Sequence, residues 1–307
     1  MLKVLIQLRK FDGGPNIFRQ RINQALQKIP DIEVTNSIKD DFDVELSTIR
    51  HLGEHSKPRI LRVDGCYYRP KQLKQNRDTI KAMKNSKYVI YQSNFSKEMV
   101  QNITGYKPKR AGVVHNGIDL SYVDRIQPDN TINPGSFVAA AKWRTNKRPH
   151  SMIRGFLEAN IDRHLYIIGD HKEIDNKFKK DKRIHFLGPL STTRTISVMK
   201  SCRYLLHLCH IDSCPNTVVE GVASNLNVLC TNLGGSKEIV DDSGVVLDVD
   251  KWDFKPRDFS KVDKIDPKTI ADGIHCMMDL NPPKRNHLDI FRVAEKYKSI
   301  LQKEINK

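Results

Sequence analysis

The stretch from His207 to Val240 constrains the fold of this chain more than any other. Apolar runs at 204–208 and 228–230 predict two short buried strands, and the segment 216–224 between them predicts a helix. A Gly234-Gly235 turn then opens another helix. Strands that alternate with helices in this way are typical of α/β domains built on a parallel sheet.

The helix predicted at 216–224 begins with features that suit an anion. Pro215 fits the first helical position, because its missing N–H would have no partner within the helix there. Three backbone amides follow and form the positive helix end, those of Asn216, Thr217 and Val218. Asp212 precedes this helix end and Glu220 lies just over one turn inside it, where their carboxylates can accept hydrogen bonds from hydroxyls. A phosphate flanked by hydroxyls describes a nucleotide sugar.

The pattern of Asp212, seven residues and Glu220, followed by NVLCTNLGGSKEIV, resembles the acid-x7-Glu signature of retaining glycosyltransferases with the GT-B fold, specifically family 4. That family usually has Glu at the first position and Gly where Pro215 stands. The resemblance implies that Glu220 binds the ribose, that Asp212 faces the donor sugar and that the amides of 216–218 hold the diphosphate. The same spacing also arises by chance, in which case Glu220 is an acid favoured by the helix dipole.

Cations follow the strand predicted at 136–143. The family has a strand ending in Arg, with Lys five residues later before a helix, and Lys142 and Lys147 stand at those positions. Two cations facing a helix amino terminus would neutralise a diphosphate as it leaves with the nucleotide. Lys lacks the bidentate fork of Arg, so Arg144 or Arg148 is the alternative to Lys142. Solvated loop cations are the other interpretation.

Two positions in the first half of the chain are site candidates because open α/β sheets bind ligands where their strands end. Gly13-Gly14 follows the strand KVLIQL, and glycines let the backbone approach a ligand closely, although a tight turn explains them equally well. Asp64 follows the strand predicted at 59–63. Many family-4 relatives have His or Asp near this point, close to the sugar. A turn-forming acid is the alternative.

The chain of 307 residues has 52 Lys and Arg against 36 Asp and Glu, a net charge of +16. This excess favours a polyanionic partner or surface, such as nucleic acid, anionic lipid or acidic glycan. The segment 57–87 alone carries ten Lys or Arg and two acids, which would suit a phosphate-rich acceptor. A solvated basic helix face explains the same residues.

The sequence predicts no metal site. Asp41-Phe42-Asp43 matches the Asp-x-Asp metal signature of the other main glycosyltransferase fold, GT-A, but it precedes the predicted strand VELSTI and suits a turn. The six cysteines lack the paired spacing of a zinc site, and we expect reduced thiols. Cys214 is a candidate nucleophile, because a helix amino terminus favours a thiolate.

Length and composition favour two α/β domains, since 38% of the 307 residues are hydrophobic. We predict an N-terminal acceptor-side domain at 1–130, a nucleotide-sugar-binding domain at 131–287 and an amphipathic helix at 288–307 that packs back on the first domain. No apolar run approaches the roughly 18 residues of a membrane span. The amino-terminal segment resembles a strand rather than a signal peptide, so we expect a cytoplasmic protein without an integral membrane segment.

Together these patterns predict two Rossmann-like α/β domains facing across a cleft, the GT-B arrangement. The implied reaction transfers a sugar from a nucleoside-diphosphate sugar to an acceptor hydroxyl, with anomeric retention and with no metal or cofactor besides the donor. The acceptor is a glycan or a lipid-linked glycan or, alternatively, a modified DNA base, as in phage DNA glycosyltransferases. A non-catalytic nucleic-acid-binding protein on the same scaffold is the remaining alternative.

Overall fold

The computed structural model describes residues 1–6, 14–259 and 261–306. Packing divides the chain into two compact units. Unit 1 comprises Met1–Asp119, Asp253–Asp258 and His287–Lys307, and unit 2 comprises Leu120–Trp252 and Phe259–Asn286. The sequence predicts a boundary at residue 130, whereas packing groups residues 120–130 with unit 2.

Unit 1 is built on a parallel sheet whose described strands run in the order β2-β1-β3-β4-β5-β6. The strands are β1 (Leu2–Ile6), β2 (Ile32–Thr35), β3 (Val44–Thr48), β4 (Arg59–Val63), β5 (Tyr88–Tyr91) and β6 (Ala111–Val113). The helices that follow β1, β4 and β5 are α1 (Gly14–Leu26), α2 (Asn76–Lys84) and α3 (Asn94–Thr104). Strand order 2-1-3-4-5 is that of a flavodoxin-like doubly wound sheet, extended here by β6.

Unit 2 is built on a second parallel sheet, with its described strands in the order β12-β11-β10-β7-β8-β9. Its helices are α4 (Leu120–Arg125), α5 (Pro149–Glu158), α6 (Thr192–Ser201), α7 (Asn216–Ala223), α8 (Ser236–Val240) and α9 (Pro267–Met278). Its strands are β7 (Ser136–Ala140), β8 (Leu165–Ile168), β9 (Ile184–Gly188), β10 (Cys202–His207), β11 (Asn227–Thr231) and β12 (Gly244–Leu247). Counted from β7, this is the strand order of a dinucleotide-binding Rossmann sheet.

Several strands of the two sheets are buried along their whole length, as in β3, β7 and β11. Parallel sheets need cover on both faces, which explains why β7 and β11 are rich in apolar residues on both sides, whereas β3 (VELST) buries Glu45, Ser47 and Thr48. The predicted α/β class with two Rossmann-like domains is confirmed. Within the described ranges, no helix combines the length and the apolar composition that crossing a bilayer requires.

The last helix, α10 (Ile290–Ile305), is tied to the sheet of unit 1 through a buried arginine of β4. Arg62 is 2% exposed, and its guanidinium lies 3.9 Å from the centre of the Phe18 ring. Its Nη1 donates to the hydroxyl oxygen of Tyr297 at 2.6 Å, and its Nε donates to Asp64 Oδ1 at 2.6 Å. The Asp64 carboxylate pairs with the buried charge of Arg62. The bond to Tyr297, which is fully buried, anchors α10.

We expect Tyr297→Phe to lower the free energy of unfolding by about 1–3 kcal/mol, because it removes an acceptor from the buried Arg62 guanidinium. The change would be measured by urea denaturation followed by far-ultraviolet circular dichroism. Tyr67→Phe is the matched control. Because Tyr67 is 46% exposed, removal of its hydroxyl should change the free energy of unfolding by no more than about 0.5 kcal/mol. Equal unfolding midpoints for the two variants would contradict this role of Tyr297.

Candidate functional site

The strand order of unit 2 reverses between β7 and β10, which are direct neighbours in the sheet. Chain segments that leave these two strands run to opposite sides, so a crevice opens at their carboxyl ends, where doubly wound folds bind ligands. The loop after β7 carries Lys142 to Arg148, and the loop after β10 carries Leu208 to Pro215. The candidate site is therefore assembled from segments far apart in sequence.

Lys147 and Asp212 meet at this crevice. Lys147 Nζ donates to Asp212 Oδ2 at 2.7 Å, and the two side chains are 20% and 26% exposed. Burial on its own would lower the pKa of Lys147, but the negative charge of Asp212 and the Cys209 thiol raise the pKa overall. The ammonium is thus charged at neutral pH and accessible to solvent. It can therefore exchange its contact with Asp212 for one with an incoming anion.

His207 and Cys209 lie behind this ion pair. Burial and the nearby Lys147 ammonium lower the pKa of His207 to about 3, so its ring is neutral, and burial raises the pKa of Cys209 to about 11. His207 Nε2 is 4.0 Å from Asp212 Oδ2 and has no hydrogen-bond partner among the described residues. The imidazole therefore has its own hydrogen-bonding capacity available beside the Asp212 carboxylate.

His207, Cys209 and Asp212 are also the residues best placed to hold a metal, since one ligand atom of each lies within 4.8 Å of the other two. The Lys147 ammonium already bonds Asp212, so a cation is present where a metal would bind. The Asp-x-Asp segment contacts strand β1, because Asp43 Oδ2 accepts from the Lys3 amide at 2.8 Å and Asp41 pairs with Lys3 Nζ at 3.0 Å.

The backbone of Asp212 is held by the Gly234-Gly235 turn. The amide of Gly235 donates to the Asp212 carbonyl oxygen at 2.8 Å. Gly234 has φ +145°, and a Cβ at this position would lie 2.7 Å from the same oxygen. The sequence predicts the turn, and the structure adds that glycine is needed there so that the turn can support the acid.

A buried ion-pair network joins the two loops that carry Lys147 and Asp212. Arg148 Nη1 donates to Asp250 Oδ2 at 2.8 Å, and His210 Nδ1 lies 2.7 Å from Asp250 Oδ1. The His210 amide donates to the Asn146 carbonyl oxygen at 2.8 Å, which links the loops directly. Arg148 has φ +49°, a left-handed conformation that is unfavourable for a side chain of its size.

Sequence reasoning missed this network. It named Arg148 only as an alternative diphosphate ligand, and that alternative is wrong, because the guanidinium is 2% exposed and bound to Asp250. Asp250 was recognisable only as an acid shortly after the strand GVVL, at the same sheet edge as the site. Asn232 fixes it there, since its side chain accepts from the Asp250 amide at 3.0 Å and donates to the Asp250 carbonyl oxygen at 2.9 Å.

Helix α7 starts as predicted at Asn216, but Pro215 is its N-cap rather than its first helical residue. The Pro215 carbonyl oxygen accepts from the Val218 amide at 3.0 Å. The assignment of the Val218 amide to a diphosphate is therefore corrected: that donor is used within the helix, and Val218 is fully buried. Asn216 and Thr217 lie half-buried at the helix start, and Glu220 is 8% exposed.

The other predicted cations remain accessible. Lys142 and Arg144 are both exposed, and neither forms an ion pair with a described residue. They lie on the same loop as Lys147, before α5. The loop thus offers two solvated cations and one held against Asp212.

The N-terminal candidates belong to unit 1. Asp64 follows β4, is 5% exposed at its side chain and pairs with Arg62, while its Oδ2 is buried without a hydrogen-bond partner among the described residues. Its carboxylate is thus held in place by a structural arginine. Gly14 is the first residue of α1, and Gly13 lies outside the described residues.

Residues 136–276, which lie in unit 2 apart from Asp253–Asp258, match the family described as "Glycosyl transferases group 1". No curated protein sequence matches the chain. A glycosyltransferase from Rickettsia africae ESF-5 is similar in structure at 14% identity, with a TM-score of 0.65 over 99% of this chain and 98% of that one.

HepE from Anabaena, solved in complex with UDP and glucose, is similar at 14% identity, with a TM-score of 0.65 over 99% of this chain and 100% of that one. Sucrose-phosphate synthase from Thermosynechococcus elongatus is similar at 10% identity, with a TM-score of 0.62 over 99% and 95% of the two chains. The predicted GT-B fold class is confirmed by this likeness together with the two parallel sheets.

We expect Asp250→Asn to cost about 3–5 kcal/mol of unfolding free energy, because it leaves the buried Arg148 guanidinium without a counter-charge. The double variant Arg148→Gly/Asp250→Asn should recover most of that loss, since it contains no buried charge and glycine adopts a positive φ freely. Urea denaturation of both variants and of Arg148→Gly completes the cycle. If the losses of unfolding free energy in the two single variants add up to the loss in the double variant, the side chains of Arg148 and Asp250 are not coupled.

The same network predicts a pH dependence. Burial alone would raise the pKa of Asp250, but hydrogen bonds from Arg148 and His210 hold it below its usual value of 3.8. A lowered pKa in the folded state stabilises the protein above the unfolded-state pKa, and the gain is lost as the pH falls through the folded-state pKa. The stability difference between the native chain and Arg148→Gly/Asp250→Asn should therefore shrink below about pH 4.

Proposed function

We propose that this protein transfers a sugar from a nucleoside-diphosphate sugar to an acceptor hydroxyl, with retention of the anomeric configuration. The observation that carries the proposal is the Lys147–Asp212 pair at the strand-order reversal of unit 2. The match of residues 136–276 to a glycosyltransferase family supports it from the sequence. The HepE structure in complex with UDP and glucose favours a uridine diphosphate donor.

Lys147 is the cation we assign to the diphosphate. Its raised pKa keeps it protonated, and its partial exposure lets it leave Asp212 when a doubly charged diphosphate enters. Lys142 and Arg144 are exposed on the same loop and add positive charge around the group. The first amides of α7, at Asn216 and Thr217, add the positive end of the helix.

Asp212 acquires its role in the same step. Once the ammonium moves to the diphosphate, the carboxylate can accept hydrogen bonds from hydroxyls of the donor sugar. The neutral His207 can donate from Nε2 to the carboxylate at that point, which keeps the acid oriented. Glu220, buried one turn into α7, is the acceptor we assign to the ribose hydroxyls.

The reaction breaks the bond between the anomeric carbon and the diphosphate oxygen and forms one between the same carbon and the acceptor oxygen. The acceptor proton passes to the departing diphosphate, whose negative charge Lys147 and the helix end stabilise. Retention requires the acceptor to approach on the face from which the diphosphate leaves. Positioning and charge stabilisation suffice for this step, and no side-chain nucleophile is assigned.

Donor binding is tested by thermal shift against UDP-, GDP- and ADP-sugars, since a ligand that binds only the folded state raises its melting temperature. Glu220→Gln should abolish most of the shift, because the amide removes the charged acceptor. Lys147→Ala should reduce turnover by about 10²-fold, in line with the loss of one charge-stabilising group. Lys172→Ala is the control, since Lys172 is 89% exposed and pairs with Asp170. Native-like kinetics in both site variants would refute the assignment.

Turnover should survive treatment with a chelator, because Lys147 supplies the cation that other transferases obtain from a metal. The measurement compares donor hydrolysis before and after dialysis against EDTA, with added Mg²⁺, Mn²⁺ or Zn²⁺ in parallel. Activity that disappears with EDTA and returns with one of these ions would contradict the expectation. It would instead assign a metal to the ligand atoms of His207, Cys209 and Asp212.

A further inference from the structure

A row of cations covers the outward face of α2 and the short 3₁₀ turn before it in unit 1. We call this the basic face, and it is formed by Lys71, Lys74, Arg77, Lys81 and Lys84. Arg77, Lys81 and Lys84 follow each other at intervals of four and three, which places them on one side of α2, and Lys71 and Lys74 belong to the 3₁₀ turn Pro70–Gln75. The opposite side is buried through Asn76, Thr79, Ala82 and Met83.

The cations of the basic face are available to a partner. All five are exposed, and no described acid forms an ion pair with any of them. Lys84 has an additional contact, since its Nζ lies 5.8 Å from the centre of the Tyr106 ring. Like charges left unpaired along a helix repel one another and destabilise it modestly, so a binding role accounts for them better than a structural one.

The surface beside this row is concave. A hollow of about 350 Å³ is lined by Arg77, Ile80, Lys81, Lys84 and Asn85. A second hollow of about 240 Å³ shares Lys81 and Asn85 and adds Arg50 and Arg59 from the segment between β3 and the start of β4. The first hollow is bordered mainly by cations, which suits a ridge of negative charge, whereas Glu54 and Asp78 also line the second.

The chemistry of the face favours a phosphodiester backbone over a lipid surface. A helix that lies in a bilayer interface turns its apolar side outward, whereas the apolar side of α2 is packed inside unit 1. Of the large hydrophobic residues that are exposed in the described chain, Tyr67 lies beside α2, since its amide donates to Asn76 Oδ1 at 2.8 Å, and a single ring is too little apolar surface to anchor a helix in a bilayer. Helix α2 itself carries no aromatic ring, so the cations are not interleaved with a series of rings on which successive unpaired bases could stack, which favours a duplex.

We propose that the basic face of unit 1 docks the phosphate backbone of double-stranded DNA without sequence preference. Cations three or four residues apart on a helix are about 5–6 Å from each other, close enough for neighbouring phosphates to be contacted in turn. Docking on unit 1 does not depend on the proposed sugar transfer, so either can hold without the other.

The test is fluorescence anisotropy with a labelled 20-base-pair duplex at salt concentrations from 50 to 200 mM. Five phosphate contacts predict that log K falls with log salt at a slope of about −4.5, a loss of roughly 10²–10³-fold over that range. The variant Arg77→Gln/Lys81→Gln/Lys84→Gln should bind at least tenfold more weakly and reduce the slope to about −2.

The matched control removes the same charge elsewhere, in Lys179→Gln/Lys180→Gln/Lys182→Gln, whose lysines are exposed in unit 2. Retained DNA binding in this control, with loss in the α2 variant, supports the proposal. Equal losses would show that net charge alone attracts DNA and would overturn it. Binding to phosphatidylglycerol vesicles that depends on the α2 cations, with none to duplex DNA, would also overturn it. Donor-induced thermal shifts, measured on both variants, report separately on the transfer function.

Discussion

The contact between Lys147 and Asp212 is the one on which the site in unit 2 depends. The two groups are 2.7 Å apart and keep 20% and 26% of their side chains exposed. Ion pairs with access to water contribute only about 0–1 kcal/mol, so a diphosphate can take the ammonium from the carboxylate at little cost. The same exchange frees the carboxylate for sugar hydroxyls. A single pair therefore keeps both groups charged and prepares each for its own part of the ligand.

The exchange can be selective only if the backbone beneath it stays fixed. Three supports converge there: Asp250 binds Arg148 and His210, Gly235 bonds the Asp212 carbonyl oxygen, and Asn146 bonds His210. The left-handed backbone at Arg148 costs about 1–2 kcal/mol, and the buried ion pair with Asp250 holds it in place. A loop clamped in this way can lose a side-chain contact to a ligand without losing its shape.

Local sequence patterns predicted many of the strands and helices. The contacts between residues far apart in the sequence could not be predicted from such patterns. Strand β4 has the predicted limits because its short apolar-rich run is bounded by Pro58 on one side and by Asp64-Gly65 on the other. Asp250 was missed because its partners lie 40 and 102 residues away, and no periodicity records such a pairing. Val218 was misassigned because moving a helix start by one residue changes which amide is used internally, and patterns do not resolve boundaries that finely.

The net charge of +16 shows why composition cannot locate function. The structure sorts the cations by what surrounds them. Arg62 and Arg148 are buried against fixed acceptors, so they hold the fold and cannot be given to a ligand without leaving a buried charge unpaired. Lys147 is half-buried against an exchangeable carboxylate, which suits a ligand that comes and goes. The cations of the basic face have no acid partner among the described residues and follow one another along one surface, which suits a partner that brings its own negative charges in a row.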